Sequence, residues 1–502
     1  MKPSRLRGLL AERGGGELFE RLTALDGVPA ARVRSAEAHG WRLPRAAAIA
    51  FDLPAVESTD FDVIVAGGGV AGLLLAAQLG RAGLRSALFE QRQVAVAQRE
   101  WNISRPELQA LVRSGLFNDQ QVDALVVARY AHGICRWHGG GSYPVQGALD
   151  CAIDAAGLLD ALRERCLAAG VELHERQAVV GERYGDSAVA IEVADAPRSR
   201  SARRSTARGS TREVTARVLV DARGAGSPHC AGDLICPTVG GVFSGFELGD
   251  APDQVDPTVG EVLATIDDVD GGRQHVWELF PGRPGEATVY LFYYALRDDP
   301  QPVSLVELYG RFFSQLDHYK RGPGKLLRPT FGIIPGWSRL QREAPAPHPR
   351  CVLVGDAAAR QSPLTCCGFG HAVRHAAALA DQVSAIAAQS AAVRASALRD
   401  EPIHAGTGAL ALMLARPPRA VSRRHEVNAL LDAAFAELHA MGNPAFAALL
   451  RDELPFDQFV TFLRRAASRR PQIWHEVLRR LGPLPLARWG ANLLRERIRV
   501  AL

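Results

Sequence analysis

Apolar and polar positions first organise themselves clearly between residues 61 and 90. Phe61 to Ala66 is a short, mostly apolar run, as a buried parallel strand requires, and Gly67, Gly68 and Gly69 interrupt it. From Val70 to about Arg81 the period becomes helical, and a second apolar run, Ala87-Leu-Phe, ends on Glu90. A further strand is predicted at Cys351-Val-Leu-Val, followed after a glycine-rich turn by an alanine-rich helix from about Ala372 to Ala388. Alternating apolar segments such as Ala287-Thr-Val-Tyr-Leu-Phe-Tyr-Tyr fill residues 235–345 and predict a mixed sheet. Beyond Ser390 the pattern is helical to the end, and residues 1–56 read as short helices broken at Pro29, Pro44 and Pro54. Ala196 to Arg212 has too little apolar surface to fold alone and predicts a loop inside a hairpin.

Strand, glycine turn, helix and acid-terminated strand, in that order, form the fingerprint of an adenine-dinucleotide site. Gly67 makes the tight turn, Gly69 lets backbone approach a pyrophosphate, and Gly72 lets the helix pack closely on the strand. The helix N-terminus aims its N–H groups at the phosphates, and Glu90 is placed to accept from ribose hydroxyls. Two later segments resemble those of flavoprotein hydroxylases, and the resemblance implies FAD. Gly355-Asp356-Ala-Ala, Pro363 and Gly368-Phe-Gly370 place an acid for a ribityl chain ahead of a helix N-terminus, and Val218 to Pro228, with Asp221, supplies another strand and turn. The expected fold is therefore α/β. A Rossmann-like FAD-binding domain of the glutathione-reductase type, hydroxylase-like, spans 57–234 and 346–390, with a mixed-sheet substrate domain at 235–345. A helical extension at 1–56 and a helical region at 391–502 flank it.

Several blocks carry a closer resemblance. Gln98-Arg-Glu100-Trp101-Asn102-Ile-Ser-Arg105-Pro-Glu107, His138-Gly-Gly-Gly, Trp277-Glu278-Leu-Phe-Pro281, Phe331-Gly-Ile-Ile-Pro335 and Gln361 to His375 together resemble the CruA and CruP lycopene cyclase family, over about residues 17–390. Cys366, Cys367 and His371 depart from the expected pattern. The resemblance implies an FAD-dependent enzyme that protonates a terminal alkene of a hydrophobic polyene, lets a neighbouring alkene attack the cation, and removes a proton. Reduced flavin would stabilise the cation without net electron consumption, so a flavin reductant is an implied partner. Such chemistry needs a carboxylic acid whose pKa burial has raised. Glu100 and Glu278, each beside a tryptophan, are the acid candidates, against a reading as salt-bridged structural carboxylates. His371, His138 and His375 are candidate bases, and Arg105 either binds phosphate or anchors Glu107.

Two other classes stay open. Flavin monooxygenases and halogenases share the fold, although the only lysines are Lys2, Lys320 and Lys325 and the halogenase Trp-x-Trp-x-Ile-Pro block is missing. A non-catalytic flavin- and carotenoid-binding paralogue is the third.

Composition limits the partners. A net charge of +5 without a basic, aromatic-interleaved stripe gives no reason to expect nucleic acid binding, and no His and carboxylate spacing suggests a metal. The eight cysteines form no C-x-x-C pair and read as reduced thiols of a cytoplasmic protein, with no signal peptide and no apolar run of membrane-spanning length. From Arg464 to Leu502, ten arginines face two acids, while Trp474, Trp489 and several leucines recur at helical spacing. The segment reads either as a basic helical hairpin packed on the core or as a peripheral contact with anionic lipid on the inner face of a membrane.

Overall fold

The computed structural model describes residues 2–14, 16–25, 48–196, 211–230, 232–299, 301, 303–340, 346–388, 405–418 and 420–501. Two eight-stranded sheets and a three-stranded one carry the chain. In the first sheet, strand Phe61–Ala66 lies parallel between Ser86–Glu90 and the second half of Arg212–Asp221, which also pairs with Cys351–Leu353. Registers Ala66↔Phe89, Asp221↔Ala66 and Asp221↔Leu353 bring Gly67, Glu90, Ala222 and Gly355 out at the same carboxyl edge of the sheet. That edge is where open parallel sheets bind ligands. The first half of Arg212–Asp221 pairs antiparallel with Val189–Asp195, so the low-complexity stretch does connect a hairpin, although residues 197–210 lie outside the described residues, as do Pro29 and Pro44.

Helix Val70–Arg81 is apolar on nearly every side because it is covered on every side: the sheet, helix Ala155–Ala168 and helix Gly368–Ala388 all pack on it. The approach to the sheet is extreme. A Cβ on Gly72 would stand 2.0 Å from the Gly67 carbonyl oxygen, and one on Gly67, at φ +114°, would stand 2.3 Å from the carbonyl oxygen of Ala222.

The second sheet is mixed, as its alternation predicts. Leu234–Ser244, Glu286–Tyr293, His275–Pro281 and Val259–Ala264 run antiparallel in that order, with Lys325–Gly336 along the outer side of Leu234–Ser244. It also recruits His132–Arg136, parallel to Val259–Ala264, and Ser142–Val145, both earlier in the chain than residue 235. The period of two separates its faces. Phe243, Trp277, Val289 and Leu291 meet helix Leu305–Tyr319 and the helices Pro3–Gly14 and Gly16–Leu25 on one side. Cys236, Val276, Phe280, Tyr290, Phe292 and Tyr294 face the other side, in one apolar cluster with the C-terminal helices. Among the described residues every regular element after residue 404 is helical, and no helix is long and apolar enough to cross a membrane.

The Gly72 contact yields a stability test. Gly72→Ala must push helix and strand apart at a backbone-to-backbone contact, so the variant should lose at least the about 1–3 kcal/mol typical of an overpacked core. A thermal or urea melt indistinguishable from the parent would contradict the packing described.

Candidate functional site

A cavity of about 710 Å³ runs from the carboxyl edge of the first sheet to the inner face of the second. At one end lie Gly67, Gly69 and Glu90. Gly69 precedes the nucleotide helix in extended conformation, and neither a side-chain cap nor a first-turn acid satisfies that helix end. Its N–H groups are thus free to face an anion. A Cβ on Gly69 would meet no atom within 4 Å, so the space beside it is open, unlike the space beside Gly67 and Gly72. Glu90 accepts from the backbone N–H groups of Gly68 and Arg92, each at 2.8 Å, which fixes its carboxylate at the rim. The three glycines and the acid therefore occupy the positions the sequence assigns them, and they fit a dinucleotide pyrophosphate and ribose.

Gly355, Asp356 and Gly368 line the middle of the cavity. Burial pushes the Asp356 carboxyl up, Arg99 nearby pulls it down, and Gln361 donates to it at 3.2 Å. The Arg99 guanidinium lies close enough to Gly332 that a Cβ there would stand 2.5 Å from it. Arg99 also lines the cavity, a place that its position in the Gln98 to Glu107 block does not by itself disclose.

Four other predicted cofactor residues lie elsewhere. Asp221 is fully buried, its carboxylate taken up by Arg223 at 2.8 Å and Ser227 at 2.5 Å. Arg223 in turn meets Glu182, and the Arg223 charge with hydrogen bonds from His229 and Tyr184 holds Glu182 down at about 2 despite its burial. Asp221 shapes the Gly224 turn from behind. Arg105 points away from the cavity: its side chain is 54% exposed and 3.9 Å from Asp150, while Arg374 takes Glu107. Pro363 packs against Gly336, and Gly370 is needed because a Cβ there would stand 2.4 Å from the Glu107 carboxylate. Each supports the loop or helix and none lines the cavity.

The candidate acids separate sharply. Glu100 lines the cavity, but its carboxylate is ion-paired with Arg328 at 3.4 Å, and Arg328 also holds Glu286. Glu278 has no cation partner among the described residues. Strand alternation turns it away from Trp277 and Leu279 onto the cavity face, opposite Tyr290 in the register, with Phe292 and Cys367 also lining the space. Burial lifts its carboxyl to about 7, and the one opposing contact is the Asn102 amide, which donates to Oε1 at 2.8 Å. Asn102 was passed over in the sequence, and an amide inside an apolar-aromatic block is the signal that could have found it. Trp101 beside it stacks on Phe369 with centroids 4.9 Å apart.

The candidate bases do not reach this space. His371 is buried against His375, ring centroids 4.4 Å apart, and neither ring nor His138 lines the cavity. All eight cysteines are free, Cys366 and Cys367 included, and these two with Cys236 form part of the wall. Burial raises the Cys367 thiol, so it serves as small, protonated packing. Among the described residues no cluster of His, Cys, Asp and Glu is arranged to hold a metal.

Comparison with known proteins gives a fold. No protein-family model and no curated protein matches the chain. Among solved structures it is similar to halogenase PltM, at 14% identity and TM-score 0.55 over 88% of this chain and 92% of that one. A PltM complex with phloroglucinol and FAD gives the same identity and score, over 87% and 91%. The p-nitrophenol 4-monooxygenase PnpA from Pseudomonas putida follows at 17% identity and TM-score 0.51, over 81% and 98%. The chain has the fold of these flavoprotein oxidoreductases.

Glu278 gives a pH-dependent stability with a definite sign. Its carboxyl titrates near 7 in the folded chain against an ordinary value of 4.5, so the folded state favours the neutral acid. The stabilisation is complete below 4.5 and is lost as pH rises to 7, a change on the order of 3 kcal/mol. Glu278→Gln, which keeps an acceptor for Asn102, should gain on the parent across that window and hold a constant advantage above it. A melting-temperature difference that does not vary with pH would refute this environment for Glu278.

Proposed function

We propose that the protein is an FAD-dependent enzyme of the lycopene cyclase type, which isomerises a hydrophobic polyene by protonation, ring closure and deprotonation. The observation that carries this reading is Glu278: a carboxylic acid without a cation partner among the described residues, lifted to about 7, in an aromatic cavity continuous with a dinucleotide cradle. Cofactor identity is supported by that cradle and by the fold shared with PltM, whose structures include an FAD complex.

Gly67, Gly69 and the end of helix Val70–Arg81 would hold the pyrophosphate, Glu90 the adenosine ribose, and Asp356 the ribityl chain. When bound and reduced, the flavin supplies a negatively charged, π-rich face. The remaining steps belong to the chain. Asn102 occupies Oε1 of Glu278 and leaves Oε2 to carry the proton. Transfer of that proton to a terminal alkene leaves a tertiary cation, which the rings of Tyr290, Phe292 and Trp101 can stabilise through their π faces. Attack by the next alkene closes the ring. Loss of a proton to the Glu278 carboxylate restores both the acid and neutrality, so substrate and product are isomers.

The second reading is oxygen-dependent monooxygenation, favoured by the fold shared with PnpA. Halogen transfer through a lysine is disfavoured. None of the three lysines lines the cavity, and Lys320 is buried against Glu261 at 2.6 Å.

Two experiments test these assignments. Purified protein should take up FAD, and Gly69→Val should fold normally yet lose at least about tenfold in affinity, because its side chain fills the space left for phosphate, whereas wild-type protein that stays colourless with excess FAD would exclude a flavoenzyme. In lycopene-producing cells a ringed product is expected, reduced at least about a hundredfold by Glu278→Gln, within the range that acid–base groups contribute. In vitro the rate should fall as pH rises through about 7, where the Glu278 carboxyl gives up its proton. An oxygenated product would select the monooxygenase reading.

A further inference from the structure

The C-terminal helices Phe456–Arg469, Ile473–Leu481 and Pro483–Ala501 resolve the two readings of the basic tail into two faces. Their inner face belongs to the core. Phe462, Ala466, Leu481 and Trp489 are buried in the same apolar cluster as Tyr290 and Phe292 of the cavity wall, and Trp489 meets Phe459 edge-on. Half the arginines are ion-paired within the chain: Arg465 and Arg469 pair with Glu437, Arg470 with Glu476, and Arg479 and Arg480 with Glu426. Trp489 is therefore withdrawn from any lipid contact the sequence suggested, and the charge of these five arginines is offset by carboxylates of the protein itself.

What remains outside is selective. Trp474 and Leu478, four residues apart on one helix face, are 48% and 46% exposed. On the next helix Leu484, Leu494 and Ile498 are 61%, 58% and 52% exposed. At 100° per residue these three centre on the side opposite buried Trp489, so this helix is apolar both inward and outward. Arg488 and Arg495 border the outward stripe, exposed and with no ion-pair partner among the described residues, as are Arg464 and Arg497. Solvent-facing leucine and isoleucine cost free energy unless something covers them.

We propose that this outward face of the last two helices docks on the anionic surface of a lipid bilayer. The charge decides the occupant. Unneutralised arginines flanking the stripe would repel the same face of a second copy, whereas anionic headgroups complement them while the tryptophan and aliphatic side chains enter the interface. Because the surface lies on the cluster that also walls the cavity, attachment would hold the cavity close to the phase in which a polyene dissolves.

The test is sedimentation of the full-length protein with vesicles, by phosphatidylcholine alone or with phosphatidylglycerol added. Binding is expected on the anionic vesicles at low salt, at least about tenfold weaker on phosphatidylcholine, and largely released at about 0.5 M NaCl. Deleting 464–502 would expose the core, so point variants are used. Trp474→Ala with Leu478→Ser, and separately Arg488→Glu with Arg495→Glu, alter only exposed positions and should each lower binding at least about tenfold with an unchanged melt. No binding to anionic vesicles, or binding insensitive to salt and to both variants, overturns the proposal. So does a dimer in light scattering that the Trp474 variant dissociates, since a second copy would then be the occupant. The wild-type salt and lipid dependence decides the matter even if a variant misfolds.

Discussion

Everything at the cavity hangs on the backbone-to-backbone approach of one helix to one sheet. Gly72 rests on the Gly67 carbonyl and Gly67 on Ala222, contacts that no side chain could survive. They lock three neighbouring segments, the helix and two parallel strands, into one register at the carboxyl edge. Only with that register do Glu90, Gly69 and Gly355 open on the same space, because the strands' pairing sets where each chain leaves the sheet. The cost is a helix end without a side-chain cap, which leaves N–H groups waiting for an anion.

The second sheet supplies the opposite demand. Its inner face must be apolar to pack against the C-terminal helices, and Glu278 sits in that face without a cation among the described residues. A carboxyl in such a place either finds a positive partner or keeps its proton. Glu100, nearby, illustrates the first outcome with Arg328, and Glu278 the second with a neutral amide. Two carboxylates in one cavity thus differ in both burial and partner: Glu100 is 27% exposed beside Arg328, and Glu278 is desolvated beside an amide.

How much of this was legible follows from the range of the interactions involved. Gly67, Gly69, Gly72 and Glu90 belong to one local strand–turn–helix–strand unit, and their places in the fold could be read from spacing. Asp221, Arg105, Pro363 and Gly370 could not, because their neighbours, from Ser227 to Asp150, Gly336 and Glu107, are set by turns and chain crossings that no local pattern encodes. Glu278 was singled out beside Trp277, yet alternation sends Trp277 to the far face; the burial that matters comes from Tyr290 and its neighbours across the sheet. The tail was half legible. Its composition showed the arginines, but Glu426 and Glu437, which pair with four of the five ion-paired ones, lie outside it in sequence.

The same two sheets also constrain the chemistry that the cavity can perform. A reaction driven by protonation needs its acid to be neutral before substrate arrives and its cation to meet aromatic faces rather than water. Glu278 goes part of the way by itself, its carboxyl lifted to about 7, and removing water from the cavity would raise it further. Oxygen-derived electrophiles would meet a wall containing Cys236, Cys366 and Cys367, thiols whose oxidation depends on how far they ionise. Burial tempers that hazard by keeping the Cys367 thiol protonated, but it does not remove it. A proton, by contrast, leaves thiols of this kind untouched. Of the two readings proposed for a fold shared by several flavin chemistries, the proton-driven one is the one that places no oxidant beside these thiols.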